Sequence, residues 1–146
     1  ALRAGELVGI FPEATISQSF EVKELKSGAV RLSQGAHVPI IPTAIWGSQR
    51  VYTKGRKPNF KRQKIAISVI FGEPYFVKKG EDVEAAEADL KQKLERLLQV
   101  VQSEYPDSHQ GQWWAPARLG GTAPTPEEVK LAAEQKRMER DDGAIS

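Results

Sequence analysis

The apolar positions of the chain fall into blocks whose spacing predicts strands at three places. Residues 7–11 form a short apolar run closed by a proline, which predicts a buried strand. Residues 38–46 predict a second strand, and its two prolines place it at a sheet edge or make it irregular. Residues 65–71 are β-branched and apolar and predict a third strand, closed by Gly72.

Helical periodicity appears at two further places. Residues 26–34 predict a short helix ended by Gly35. Residues 83–105 predict a long helix capped by Asp82. The apolar positions of this helix recur at helical spacing on one stripe, which we expect to face the core: Val83, Leu90, Leu94, Leu97, Leu98, Val101 and Tyr105. Two acidic residues precede lysines by four positions, and the pairs Glu87–Lys91 and Asp89–Lys93 are expected on its surface.

The order strand, helix, strand, strand, helix predicts an α/β domain over residues 1–106. Residues 107–146 are predicted to be a Gly/Pro-rich linker and an exposed helical tail. Thr125 and Glu128 form a capping box with proline at the first helical position of that tail. The sequence opens at Ala1 with no methionine and holds few strands, so we expect it to be part of a longer domain.

Composition narrows the classes of function. Apolar residues make up 40% and charged residues 27%, which is typical of a globular chain, and no apolar run approaches the ~18 residues of a membrane span. Cysteine is absent, which excludes disulfides, thiolate nucleophiles and cysteine metal sites. With two histidines we expect no metal centre. A net charge of +2 gives no reason to expect nucleic acid as a partner.

Four short segments carry a resemblance to a known family. Residues 11–17 read F-P-E-A-T-I-S and resemble the third block, F-P-E-G-T-R-S, of the glycerolipid acyltransferases. Residues 20–29 resemble the lysine-glycine-alanine continuation of that block, and residues 38–42 resemble the fourth block, V-P-[IV]-[IV]-P. Residues 72–74, Gly-Glu-Pro, recur in the family after a later strand. The segments follow family order and spacing and together identify the 1-acylglycerol-3-phosphate acyltransferase family.

The resemblance implies a fold, an activity and a location. The fold would be part of a mixed sheet flanked by helices. The activity would be transfer of a fatty acyl group from acyl-CoA or acyl carrier protein to the free hydroxyl of 1-acylglycerol 3-phosphate, with no other cofactor. The location would be peripheral, at the cytoplasmic face of a membrane. Two alternatives stay open: the same chemistry on glycerol 3-phosphate or another lysophospholipid, and a non-catalytic binding module at a membrane surface.

The family's catalytic block is N-H-x-x-x-x-D, in which a histidine takes the hydroxyl proton and an aspartate orients it. His37 is followed five residues later by Pro42, and His109 by Trp114, so neither histidine fits. We therefore identify no catalytic residue in this sequence and expect the catalytic base to come from sequence before Ala1.

The resemblance implies that Glu13, Thr15, Ser17 and Lys26 bind the acceptor. The alternative is a solvated loop with a surface lysine and hydroxyls that cap turns. This sequence departs from the third block at Ala14 and at Ile16, where the family has glycine and arginine. Isoleucine cannot bind phosphate as arginine does, so either Lys26 or Arg31 compensates or the acceptor is held differently.

Two further sets of residues are weaker candidates. Val38, Ile40 and Ile41 either line an acyl site or belong to a core strand. A basic stretch with no acidic residue and with interleaved aromatic residues comprises Arg50, Lys54, Arg56, Lys57, Lys61, Arg62 and Lys64. We expect it to face anionic lipid; binding of the CoA phosphates and a solvated loop are the alternatives.

Overall fold

The computed structural model describes residues 1–61 and 64–143. Their α-helices and strands are α1 (Gly28–Ala36), β1 (Thr43–Trp46), β2 (Ser68–Phe71), α2 (Val83–Ser103) and α3 (Pro126–Gly143). Single 3-10 turns occur at Leu2–Ala4, Ser48–Arg50 and Ala117–Leu119. The predicted α/β class is confirmed. The predicted mixed sheet is wrong for this part of the chain, because β1 and β2 form a two-stranded antiparallel sheet and no parallel pair occurs among the described residues.

The chain divides into two compact units, of which the first comprises Ala1–Ile16 and Val22–Asp107. In this unit the sheet pairs Thr43 with Phe71 and Trp46 with Ser68. Helix α2 packs on the sheet and on α1. The centre of the core is a cluster of buried apolar side chains: Ala29, Val30, Val77, Ala86 and Leu90.

The predicted buried strand over residues 7–11 is wrong. This segment has no regular secondary structure, and Leu7 and Phe11 are 95% and 84% exposed. A strand needs a neighbour for its backbone groups and a layer to cover its side chains. Among the described residues the segment has neither, so its apolar run is left open to solvent.

The other predicted boundaries shift by a few residues. Helix α1 begins and ends two residues later than predicted, since His37 and not Gly35 takes the left-handed C-cap conformation, with φ 56°. Strand β1 is confined to the residues after Pro42, and Ile40 forms an isolated antiparallel bridge with Tyr75. The two prolines thus interrupt the segment, as expected from their missing N–H groups.

Helix α2 follows its sequence pattern closely. The Asp82 carboxylate accepts the backbone N–H of Ala85 at 2.9 Å, which confirms the predicted cap. The predicted pair Asp89–Lys93 forms at 3.4 Å. Lys91 instead pairs with Glu24, which precedes α1, at 2.5 Å, so the predicted Glu87–Lys91 pair is wrong. A contact from another element has replaced the local one.

The second unit comprises Ser17–Glu21 and Ser108–Ser146, a grouping that no pattern in the sequence predicts. Arg118 donates to both carboxylate oxygens of Glu21 at 2.7 and 3.2 Å, and the rings of Phe20 and Trp113 meet edge to face at 6.3 Å. Trp114 is 3% exposed. The stretch after residue 107 therefore has buried side chains of its own and is not an open linker.

Helix α3 begins as its sequence predicts. The Glu128 N–H donates to the Thr125 hydroxyl at 3.2 Å, and the Thr125 N–H donates to the Glu128 carboxylate at 2.8 Å, which confirms the capping box. Every residue from 131 to 140 is exposed. Across the described ranges no helix has the length and apolar character to span a bilayer.

Candidate functional site

The candidate site is built on a reversal of the chain in the first unit. The Ala14 N–H donates to the Phe11 carbonyl at 3.2 Å and closes a turn that contains Pro12 and Glu13. Ala14 has φ 58° in this turn, a left-handed conformation that glycine adopts without strain. The family glycine at this position therefore has a structural reason, and the alanine here retains its geometry at some cost in stability.

Two hydrogen bonds join this turn to the segment before α1. The Pro12 carbonyl accepts the Lys26 N–H at 2.8 Å, and the Glu13 carboxylate accepts the Lys23 N–H at 3.0 Å. Glu13 is half-buried. Its side chain thus acts as a brace within the loop, and its second carboxylate oxygen makes no polar contact with the described residues.

Lys23 is the lysine whose side chain contacts a hydroxyl group of this loop. Its ammonium donates to the Thr15 hydroxyl at 2.6 Å. Lys26, the predicted phosphate-binding lysine, is exposed, and its ammonium makes no polar contact with the described residues of the loop. The structure therefore brings Glu13, Thr15 and the backbone of Lys26 together, and it adds Lys23, which sequence reasoning missed.

Ser17 belongs to the second unit, whereas Glu13 and Thr15 belong to the first. Its hydroxyl is 3.1 Å from the hydroxyl of Ser19, which in turn accepts the backbone N–H of Glu21 at 3.4 Å. These contacts are typical of hydroxyls that shape a turn, which is the alternative considered for Ser17. Its predicted role in acceptor binding stays a prediction.

Arg31 was one of two cations expected to replace the missing arginine at Ile16. Its guanidinium donates to the Ser27 hydroxyl at 3.1 Å, one helical turn away. It borders an open groove of about 600 Å³ whose other charged side chains are four carboxylates: Glu81, Asp82, Glu84 and Glu87. A groove of that charge disfavours a phosphate.

The candidate acyl-site residues divide between core and surface. Ile40 exchanges two backbone hydrogen bonds of 2.8 Å with Tyr75 and packs against the core cluster, as the core-strand alternative requires. Val38 is half-buried, and its carbonyl accepts the Ser33 hydroxyl at 2.6 Å. Ile41 is 44% exposed. Contact with an acyl chain stays a prediction for all three residues.

The basic stretch is not uniform. Arg50 donates to the Tyr105 hydroxyl at 2.9 Å and is ion-paired with Asp107, so it ties the end of β1 to the end of α2. Lys54, Arg56, Lys57, Lys61 and Lys64 are all exposed. Arg62 lies outside the described residues. The predicted contact surface therefore consists of the exposed basic residues that follow Arg50.

Comparisons with known proteins bear on this geometry. Residues 1–46 match the family model described as Acyltransferase. That match contains the whole loop from Pro12 to Lys26 and ends with β1. Over these residues the chain is similar to the acyltransferase family.

Two curated members of the family are similar to half of the chain. One is described as a probable 1-acyl-sn-glycerol-3-phosphate acyltransferase of Mycoplasma pneumoniae, 38% identical over 77 residues, or 50% of this chain and 29% of the relative. The other is a 1-acyl-sn-glycerol-3-phosphate acyltransferase of Bacillus subtilis, 38% identical over 73 residues, or 50% of this chain and 32% of the relative. The chain spans about three-tenths of the length of these relatives. No solved structure matches it significantly.

Proposed function

We propose that this chain belongs to an acyltransferase that makes phosphatidic acid for phospholipid synthesis, and that it binds the acyl acceptor. The acyl group would pass from acyl-CoA or acyl carrier protein to the free hydroxyl of 1-acylglycerol 3-phosphate. The observation that carries the proposal is the closed loop, in which Glu13 holds the Lys23 N–H and Pro12 holds the Lys26 N–H. The names of the two relatives and the match over residues 1–46 support it.

In this reaction the acyl group moves directly from the sulfur of the donor thioester to the hydroxyl oxygen of the acceptor. The acceptor hydroxyl attacks the thioester carbonyl, a C–O bond forms, the C–S bond breaks, and the hydroxyl proton passes through a general base to the departing thiolate. We assign no such base in this chain. Its contribution is to hold the acceptor headgroup so that the hydroxyl is positioned for attack, an effect that lowers the barrier by removing translational and rotational freedom beforehand.

The test is an assay of the complete protein that carries this chain, with 1-acylglycerol 3-phosphate and acyl-CoA as substrates. Glu13→Ala should lower kcat/KM for the acceptor at least about tenfold, because the headgroup is no longer held in place. Glu73→Ala, which removes an exposed carboxylate after β2, is the matched control and should leave the rate unchanged. Glycerol 3-phosphate and a neutral lysophospholipid serve as competing acceptors.

Two results would overturn this proposal. One is a wild-type protein that forms no phosphatidic acid. The other is a Glu13→Ala variant whose kcat/KM equals that of the Glu73→Ala control.

We also propose that the chain lies at the cytoplasmic face of a membrane, peripherally, through its basic stretch. Support comes from the exposed lysines and from two aromatic residues of the same stretch. Phe60 is 79% exposed and Tyr52 is 57% exposed. No acidic residue occurs from Arg50 to Gly72. Each basic side chain near an anionic surface contributes about 1 kcal/mol, and exposed aromatic rings favour the interfacial region.

Co-sedimentation with vesicles tests the membrane proposal. The chain should pellet with phosphatidylcholine vesicles only when they contain phosphatidylglycerol. The double variant Lys57→Glu/Lys61→Glu should stay in the supernatant, whereas Lys130→Glu/Lys136→Glu on α3 should pellet as wild type does. Pelleting that ignores anionic lipid, or that survives the first double variant, contradicts the proposal.

A further inference from the structure

The loop in the first unit lacks the cation that its family pattern places at position 16. Ile16 stands there and is 46% exposed, so it offers no donor to an anionic headgroup. Among the nearby cations, Arg31 faces the acidic groove and the Lys26 ammonium makes no polar contact with the loop's described residues. The remaining cation is Lys23.

We propose that Lys23 is the residue that binds the phosphate of the acceptor and so replaces the missing arginine. This inference rests on the proposed function and names the recognition element of that same site. Its basis is that Lys23 alone is bound to the loop at both ends: its N–H to Glu13 at 3.0 Å and its ammonium to Thr15 at 2.6 Å.

The contact with Thr15 leaves donors available for an anion. The Thr15 oxygen accepts one N–H of the ammonium, so its own O–H is still able to donate. The ammonium retains two further N–H groups. Three donors are thus concentrated at one exposed place, and a phosphate monoester with three terminal oxygens is the kind of ligand that accepts them.

The charges around Lys23 favour an external anion over an internal one. Its sequence neighbour Glu24 is paired with Lys91 of α2 at 2.5 Å. No carboxylate of the described residues lies within ion-pair distance of the Lys23 ammonium. Since the nearest acidic side chain along the chain is already neutralised, the positive charge of Lys23 is not consumed within the protein.

The role differs from that of an arginine in a way that can be measured. Lysine binds phosphate as a point charge, whereas arginine binds it with two parallel N–H groups. Lys23→Arg should therefore bind the acceptor at least as well as wild type. Lys23→Ala removes the charge and should weaken binding about tenfold or more, as is typical for one charge-assisted hydrogen bond.

Titration calorimetry on the 146-residue chain tests the assignment. The probe is short-chain 1-acylglycerol 3-phosphate below its micelle concentration, and short-chain monoacylglycerol and inorganic phosphate are the two comparison ligands. Lys23→Ala and Lys23→Arg are measured beside Lys130→Ala, which removes an exposed lysine on α3. Circular dichroism confirms that each variant is folded; Lys23 and Thr15 meet at the surface, so folding should persist.

The outcomes separate this inference from the proposed function. Weak binding by Lys23→Ala alone, with wild-type affinity in Lys23→Arg and Lys130→Ala, supports it. Wild-type affinity in Lys23→Ala overturns the role of Lys23 and leaves acceptor binding by the chain intact. A wild-type chain that does not bind the phospholipid, or that binds inorganic phosphate equally well, overturns both.

Discussion

Glu13 and Lys23 are ten residues apart, and the carboxylate of the first accepts the backbone N–H of the second at 3.0 Å. This hydrogen bond joins the turn after residue 11 to the segment that leads into α1. It also sets the position from which the Lys23 side chain reaches Thr15. A single carboxylate therefore organises the loop by way of the backbone, without itself carrying charge to a ligand.

Replacing Glu13 should loosen the loop locally. Glu13→Ala removes a hydrogen bond to a charged acceptor, so the Lys23 amide should exchange with solvent about tenfold faster, equivalent to roughly 1.4 kcal/mol. Glu13→Gln keeps a neutral acceptor and should have a smaller effect. Hydrogen exchange resolved by residue is the measurement, with Glu73→Ala as control. Equal exchange of the Lys23 amide in Glu13→Ala and wild type contradicts the bracing role.

Ala14 offers a stabilising substitution. Its φ of 58° lies in the left-handed region, which disfavours residues with a Cβ atom by roughly 1–2 kcal/mol. Ala14→Gly removes that strain but adds freedom to the unfolded chain. The free energy of unfolding, measured with urea, should rise by up to about 1 kcal/mol. A decrease on substitution would show that the turn is not strained at this residue.

Alanine substitutions at Gly47 and Gly80 distinguish the effect of backbone strain on stability from the effect of packing. Both have positive φ, 98° and 80°. A Cβ atom at Gly47 would overlap the Ala66 carbonyl and approach the Tyr105 hydroxyl to 2.7 Å, whereas a Cβ at Gly80 meets nothing within 4 Å. Gly47→Ala should lower the free energy of unfolding by about 3 kcal/mol or more, and Gly80→Ala by about 1–2 kcal/mol.

Thermal or urea unfolding of the two glycine variants distinguishes these effects. A difference between them is expected because the Tyr105 hydroxyl donates to the Ala66 carbonyl at 2.6 Å and has no room to move. Equal destabilisation in both variants would mean that the packing around Gly47 adds nothing to the strain of its backbone.

His109 should make stability depend on pH. Burial, together with the charge of Arg118, lowers the pKa of His109 below its ordinary value of 6.5. At pH values between the two pKa values, the unfolded chain then binds more protons than the folded chain. The contribution of the neutral ring to the free energy of unfolding is therefore fully present above pH 6.5. It is lost as the pH falls through the lowered pKa. His109→Gln should flatten this decline in urea midpoints between neutral and mildly acid pH. A decline of equal slope in the variant contradicts the assignment to His109.

The elements that were predicted correctly are those whose determinants are local. The cap of α2 at Asp82 and the capping box of α3 at Thr125 depend on residues three positions apart, and both form. The strand over residues 7–11 was predicted from apolarity alone, and apolarity does not supply a pairing partner. Lys91 pairs with Glu24 and not with Glu87, because the fold brings the Glu24 carboxylate close to it. Helical spacing in the sequence does not encode this contact.

The candidate site shows the same division. Glu13 and Thr15 were found through a block of seven residues that is continuous in sequence. Lys23 was missed because its contacts with both follow from a chain reversal, which no periodic pattern in the sequence encodes. The positive φ at Ala14, which permits that reversal, is visible only in the folded backbone.

The most direct measurement is a residue-resolved NMR titration of the wild-type chain with short-chain 1-acylglycerol 3-phosphate, against short-chain monoacylglycerol as the uncharged reference. Shifts specific to the phosphate should concentrate on Glu13, Thr15, Lys23 and Lys26, with little change on α3. Phosphate-specific shifts that cluster outside residues 12–28, or none at all, would contradict acceptor binding by this loop.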